Sequence, residues 1–589
     1  MNQNESRQGK WNIFYQAPYV TLFVYALMMT VISYISINTN SQIYDYPFHL
    51  ARIVGLAQSI ANGDLLPNLN FLFTHGSGYA VPMFYGNGIL YIPALVYLVT
   101  RVGTVAFASY AFIIMWATAT TSYFCLYKMT QNKAKSLLFG MTMAIAFPYF
   151  GFGMSAIPPL ITPLIYCIYK VIFQDKLNPI PLGIIIALMV QTHIISTLVL
   201  AISSLILVLL SANKLTSKKI VSFVFSIVIA VGLSIGFVIQ FIEQRLSQTF
   251  FVSWGLRDFP FKSKTILDAG NLFEEIMNFD FPLALIFLII GGGGVVYKSL
   301  PKIGRQLLVT SVILLVATSN ILPWYTVFRY TFLTVFQYSG RLSYFIPAFI
   351  IMALFLAEKK RLYKVIAIVQ IGFYLVTNPL SFLPNFANFK EEYNLTATNA
   401  AVMKEQNEMA DKAFQNPLLT TYWASGSEYF NLDINHKRVQ NGTINQFIYD
   451  TNQVTVENVR QGYNLLMFDV QLNQEGKSVE LTLPRIWYKG YVAEYSAGAK
   501  GTQPQIAYAP LTSEELQQYK KKYKPNVTQK ALNDGRATIS VTHSGTVSVF
   551  YKRTFAQIVG FTLQSAAWLL LFYLYLHLTL TRFVRENSV

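Results

Sequence analysis

The chain has 589 residues, 53% of them hydrophobic and only 12% charged, with a mean hydropathy of +0.40 and a net charge of +17. A soluble protein carries roughly a quarter of its residues as charges, so this composition excludes an ordinary soluble globular protein and points to a bilayer as the main solvent. The basic excess lies in short loops between apolar runs, which reads as membrane topology and not as nucleic-acid binding; the two cysteines, Cys125 and Cys167, fall inside apolar runs and imply no disulfide framework.

A helix needs about 20 apolar residues to cross the hydrocarbon core. Such runs start near Tyr19, Val105, Ser136, Pro159, Ile180, Ile194, Ile220, Phe281, Leu307, Ser343, Val365 and Phe555. The first, Tyr19 to Ile37, is too long for a signal-peptide core and is expected to remain as a membrane helix. Between Ile180 and Leu210 the triplet Gln191-Thr192-His193 leaves open one bent helix or two short ones. The run Phe84 to Thr100, with Gly86, Gly88 and Pro93, reads as packed on the bundle or partly inserted.

Basic groups recur at every second turn: Arg7/Lys10, Lys128/Lys133/Lys135, Lys170/Lys176, Lys214/Lys218/Lys219, Lys298/Lys302/Arg305, Lys359/Lys360/Arg361/Lys364 and Arg582/Arg585. The positive-inside rule places them all in the cytoplasm, with about 12 spans and both termini inside. The expected fold is therefore a polytopic α-helical membrane protein with an extracytoplasmic β-rich C-terminal domain. The expected divisions are a membrane domain over 1–380, including an outer loop at 38–103, an outer β-sandwich-like domain over 381–554, and a final membrane helix with a short tail over 555–589. Strand-like runs at Leu465–Leu472, Val479–Leu483, Ile486–Tyr495, Ala537–Thr542 and Thr546–Tyr551 carry the β expectation.

The outer loop holds the candidate chemistry. In Asp45-Tyr46-Pro47-Phe48-His49-Leu50-Ala51-Arg52, Pro47 suits the first turn of a helix, with Asp45 or Tyr46 as N-cap, and Asn62-Gly63 suits its end. Ile53, Leu56, Ala57 and Ile60 form an apolar stripe, which predicts an amphipathic helix at the membrane surface. At 100° per residue Asp45, His49 and Arg52 share an arc of about 60° that overlaps this stripe. One reading is a capping Asp with two residues that snorkel. The other is a carboxylate, an imidazole and a guanidinium gathered at the mouth of a membrane cavity, where polar groups need partners.

This stretch resembles the first outer loop of the GT-C glycosyltransferase superfamily, and most closely its YfhO-like group of bacterial multi-pass membrane proteins, also labelled 6-pyruvoyl-tetrahydropterin synthase-related. Gly76-Ser77-Gly78-Tyr79-Ala80-Val81-Pro82-Met83-Phe84-Tyr85, Leu90-Tyr91-Ile92-Pro93-Ala94, Gln191-Thr192-His193 and Phe336-Gln337-Tyr338-Ser339-Gly340-Arg341 are similar to the same group. The resemblance implies transfer of a sugar from a polyprenyl-phosphate carrier to a cell-envelope acceptor (a polysaccharide, a teichoic-acid-like polymer or a lipid) on the outer face of a bacterial cell membrane. It implies Asp45 as general base or as the residue that positions the acceptor, and Arg52 or Arg341 as the charge that meets the leaving phosphate. His49 would orient the carboxylate or bind phosphate. One departure stands out: Gly151 to Pro159 carries no charge where the group has an Arg and a Glu. A non-catalytic carrier-binding protein or flippase partner is the alternative, with a secondary transporter a third.

His193, at the edge of an apolar run, suits a carbonyl-bonded helix histidine as well as a ligand contact. His75, Glu243 and Arg329 are candidates by outer position alone. No metal-ligand spacing and no phosphate-cradling loop is present, so no cofactor is called for. A divalent cation between Asp45 and phosphate oxygens stays open.

Overall fold

The computed structural model describes residues 17–37, 46–147, 153–251, 282–318, 322–324, 326–337, 339–359, 361–380, 398–415, 429–434, 436–440, 442–495, 505–507 and 535–587. Asp45 lies outside them. The chain is mostly helical with a β-rich C-terminal region. Four helical segments are long and apolar enough to cross a membrane: Gly103–Thr130, Ser217–Ser247, Ser339–Leu356 and Phe555–Thr581. Shorter apolar helices accompany them, among them Ile180–Thr192 and Ile194–Leu209.

Those two helices answer the question that 180–210 left open: the run is broken at His193, which closes one helix and opens the next. Its backbone is extended (φ −158°, ψ 108°), and its Nδ1 accepts from the Ser196 amide at 3.1 Å. A polar side chain with a ring acceptor does here what Ser or Asn does at most N-caps.

Contacts divide the chain into two compact units. The first comprises Met1–His49, Thr104–Ile227 and Trp254–Glu405; the second comprises Leu50–Gly103, Val228–Ser253 and Gln406–Val589. In the first, every residue of helix Ile346–Leu356 is buried, and helix Lys302–Thr318 packs along it. Small and hydroxylic residues bring helices close. A Cβ on Gly140 would fall 2.6 Å from the Ala119 carbonyl, and Ser122 and Thr162 share a hydrogen bond of 3.0 Å. Gly291 of the Gly291–Gly294 run packs tightly against Leu354 and Leu308. Helix Pro282–Gly292 ends within that run.

In the second unit seven strands form two antiparallel sheets. They are β1 (Val454–Gly462), β2 (Leu465–Leu472), β3 (Val479–Ile486), β4 (Tyr491–Tyr495), β5 (Gln505–Ala507), β6 (Arg536–Val541) and β7 (Gly545–Tyr551). One sheet has the order β1-β2-β7-β4 and the other β3-β6-β5. Period-2 alternation buries Leu466, Phe468, Val470 and Leu472 of β2 with Val547 and Val549 of β7. Four residues after the end of β7 the apolar helix Phe555–Asn587 begins, with Thr554 capping Gln557. This helix crosses Ser217–Ser247 at a pair of glycines. A Cβ on Gly236 would lie 2.8 Å from Phe561 Cα, and one on Gly560 would lie 3.1 Å from Gly236 Cα. Gln564 Oε1 accepts from the Gly236 and Phe237 amides, and Trp568 donates to the Leu233 carbonyl at 2.9 Å.

Candidate functional site

The helix expected after Asp45 spans Tyr46–Ala61. Pro47 occupies its first turn, where the missing N–H costs nothing. Its end is a Schellman motif: the Gly63 amide donates to Ile60 and the Asp64 amide to Ser59, with Gly63 at φ +80°. Residues 50–59 are buried throughout, so the helix is enclosed by protein and does not lie along lipid with one face bare.

His49 is 3% exposed and Arg52 is 6% exposed, three positions apart on this helix. His49 packs edge-on to Phe48, and Tyr46 lies 4.7 Å from the Phe107 ring. Arg52 donates from Nη2 to the Gly86 carbonyl at 3.0 Å, with its guanidinium over the Tyr85 ring. Tyr85 borders an aromatic cluster in which Phe84 stacks on Tyr429 at 4.4 Å and meets Phe241 and Phe250 edge-on. Burial of a charged group is costly without such partners. The 76–85 stretch singled out in the sequence therefore builds the wall against which Arg52 rests.

The loop that follows is laid over the same helix. Asn70 donates to the Ala51 carbonyl at 3.1 Å and caps the Leu72 amide, and Gly55 supplies the space: a Cβ there would sit 2.1 Å from Asn70 Nδ2. Asn70 and Tyr79 exchange both backbone bonds. His75 is buried at φ +53°, and its Nε2 meets the Val439 carbonyl at 2.9 Å. It ties the loop to the 436–445 segment.

Arg341 is half-buried in the turn Ser339–Ser343, ahead of helix Ile346–Leu356. Arg329 rests over Tyr330. Arg52 and His75 belong to the second unit; His49, His193 and Arg341 belong to the first. Among the described residues no group of three His, Cys, Asp or Glu could hold a metal ion.

Two clusters in the second unit were not assembled by reading the sequence. Glu243 Oε2 accepts from Thr554 at 2.7 Å and from Gln557 at 3.1 Å, while Lys489 lies 3.4 Å from Oε1. Asn68 joins in, donating to Gln240 and Gln557, and Tyr551 shares a hydrogen bond with Gln557. The signal was there in the amides Gln240 and Gln557 at the ends of apolar runs. The second cluster is a cleft of about 250 Å³ lined by Asp64, Phe71, Tyr463, Tyr551, Lys552 and Arg553 among others. Burial, reinforced by the Asp64 carboxylate, pushes the Tyr463 phenol well above its usual range, so it stays a donor.

No protein-family model matches the chain, and no curated protein matches it. Among solved structures it is similar to ArnT from Cupriavidus metallidurans bound to undecaprenyl phosphate, at 10% identity and a TM-score of 0.34, over 69% of this chain and 78% of that one. It is also similar to the arabinosyltransferase EmbB from Mycobacterium smegmatis, at 10% identity and a TM-score of 0.31, over 90% of this chain. The match spans 64% of the EmbB chain, less than two thirds of its length. At these scores neither likeness carries weight for fold or activity.

Proposed function

We propose that this protein is a membrane-embedded glycosyltransferase of the GT-C type that moves a sugar from a polyprenyl-phosphate carrier to a cell-envelope acceptor on the outer face of a bacterial membrane. About 12 spans, cytoplasmic termini and an outer domain over 381–554 follow from the basic loops. The observation that carries the reading is the burial of His49 and Arg52 on a helix whose first residue directly follows Asp45. Residues that merely snorkelled would reach water.

In this scheme the acceptor hydroxyl attacks the anomeric carbon, and its proton passes to the Asp45 carboxylate. The bond from that carbon to the carrier phosphate breaks, and the phosphate leaves with the electron pair. Arg52, held in place by Tyr85 and Gly86, or Arg341 meets the developing charge. His49 orients Asp45 or contacts the phosphate. His75 and His193 fit bracing roles better than ligand contacts, given the backbone groups they hold.

The uncharged Gly151–Pro159 stretch favours a second reading, a protein that binds the carrier without turning it over. Purified protein in liposomes separates the two. The enzyme reading expects transfer from a polyprenyl-phosphate sugar that Asp45→Asn abolishes while insertion and carrier binding persist. Carrier binding with no transfer by the wild type, under acceptors spanning polysaccharide and lipid, would leave the second reading standing.

A further inference from the structure

The cleft beside the last membrane helix holds opposite charges that do not pair with each other. Asp64 and the cations Lys552 and Arg553 line one space of about 250 Å³, yet among the described residues no ion pair joins them. The Asp64 carboxylate is fixed by two neutral donors, Tyr463 at 2.9 Å and the Leu66 amide at 3.3 Å, which leaves acceptor capacity on both oxygens. Arg553 is fixed on its other side. Its Nε donates to Asn68 and its Nη2 to the Leu66 carbonyl, while Nη1 has no acceptor among the described residues. Lys552 is exposed, and among the described residues its ammonium takes no side-chain partner. Asp64 and Arg553 are thus each held by the fold, both through Leu66, without an ion pair between them among the described residues.

Exposed apolar residues adjoin the lining residues in the chain: Leu65 and Leu66 follow Asp64, and Phe555 follows Arg553 by two positions. Leu65 and Leu66 are 61% and 54% exposed, and Phe555 is 83% exposed. The Leu65-Leu66 tip is not loose: Tyr91 donates to the Leu65 carbonyl and Arg553 to the Leu66 carbonyl. Helix Phe555–Thr581 begins two residues after Arg553, and only 6% of its apolar window is buried. Its sides thus face hydrocarbon, and the cleft sits where that hydrocarbon meets water. The volume is below the roughly 300–1,000 Å³ of sites that enclose drug-sized ligands, and suits a head group with its chains outside.

We propose that this cleft binds the head group of a zwitterionic aminophospholipid of the surrounding bilayer, with its phosphate on Lys552 and Arg553 and its ammonium on Asp64. A purely anionic head group would leave Asp64 facing like charge, and a free solute would have no use for the adjoining apolar residues. The site adjoins the C-terminal end of helix Tyr46–Ala61 through Ser59 and Tyr463 but includes none of the proposed catalytic residues, and it depends on membrane insertion of the last helix, not on sugar transfer.

The test uses the full chain, purified and exposed to equal amounts of phosphatidylethanolamine and phosphatidylglycerol, with retained lipid counted by native mass spectrometry. Wild type should retain the ethanolamine lipid about tenfold over the glycerol lipid, a difference of roughly 1.4 kcal/mol. Asp64→Asn should bring the ratio near one, and Lys552→Gln, an exposed substitution that leaves the fold alone, should lower retention of both lipids. Glycerophosphoethanolamine, which lacks acyl chains, should compete poorly. Equal retention of the two lipids by wild type overturns the proposal, as does an unchanged ratio in Asp64→Asn or undiminished retention in Lys552→Gln. So does displacement by the soluble head group or by a neutral saccharide at equal concentration, which would make the cleft a solute or sugar site.

Discussion

The Arg52 guanidinium carbon lies 4.7 Å from the centre of the Tyr85 ring, with Nη2 bonded to the next residue's carbonyl. Two consecutive residues, Tyr85 and Gly86, thus hold one buried cation. Arg52→Lys keeps the charge but not the planar stack or the fork. The variant should insert normally and lose about 1 kcal/mol of stability. Its transfer rate should fall by at least about tenfold, because the charge is no longer aimed. Thermal unfolding and transfer, measured on the same preparation, check this; undiminished transfer would remove Arg52 from the proposed site.

His193 offers a case where capping and ligand binding give opposite results. Its Nδ1 takes the Ser196 amide, so His193→Asn should preserve the cap, and His193→Leu should cost about 1 kcal/mol. Hydrogen exchange over residues 194–200 should quicken in the Leu variant and stay near wild type in the Asn variant. Loss of transfer in the Asn variant with unchanged exchange would mean that the imidazole touches a ligand.

The crossing of helices Ser217–Ser247 and Phe555–Asn587 predicts opposite signs for two alanines one turn apart. Gly236→Ala drives a methyl into Phe561 backbone and should destabilise by about 1–3 kcal/mol. Gly232 has nothing within 4 Å of its notional Cβ, so Gly232→Ala should stabilise by up to about 1 kcal/mol through helix propensity. Equal effects of the two in denaturant titration would contradict the close packing described.

The two C-terminal sheets should be acid-sensitive. Hydrogen bonds from Thr546 at 2.6 Å and Asn458 at 2.7 Å hold the Asp469 carboxyl below its ordinary value of 3.8. A depressed folded pKa contributes stability that is present above the unfolded value and lost as pH falls through the folded one. Glu475, held down by Ser544, acts in the same direction. Exchange over 454–472 and 545–551 should therefore accelerate below about pH 4, and less steeply in Asp469→Asn. An identical acid profile in that variant would show that these bonds do not matter.

Much of this architecture could be read along the chain because it is local. Apolar runs marked the long helices, Asn62-Gly63 marked a helix end, and alternation marked β2 to the residue. Strand β1 has no such signal: it is an edge strand whose Val454–Gly462 face is mostly exposed and polar, with no apolar alternation to betray it. The single strand expected over Ile486–Tyr495 is instead broken, with Trp487–Gly490 turning between β3 and β4. The expected surface helix is instead enclosed, because Gly55 admits Asn70 and Ser59 meets Tyr463, 404 positions away. Contacts of that separation, like the Glu243 network and the Asp64 cleft, leave no periodic trace in a single sequence.

The central claim turns on the proton acceptor at Asp45. The direct measurement is release of free polyprenyl phosphate from a labelled carrier-linked sugar, in single-turnover liposomes containing wild type, Asp45→Asn or Asp45→Glu. The account predicts acceptor-dependent release by wild type, a loss of at least about 10²-fold in the Asn variant, and partial retention in the Glu variant. Equal release by wild type and Asp45→Asn would contradict it.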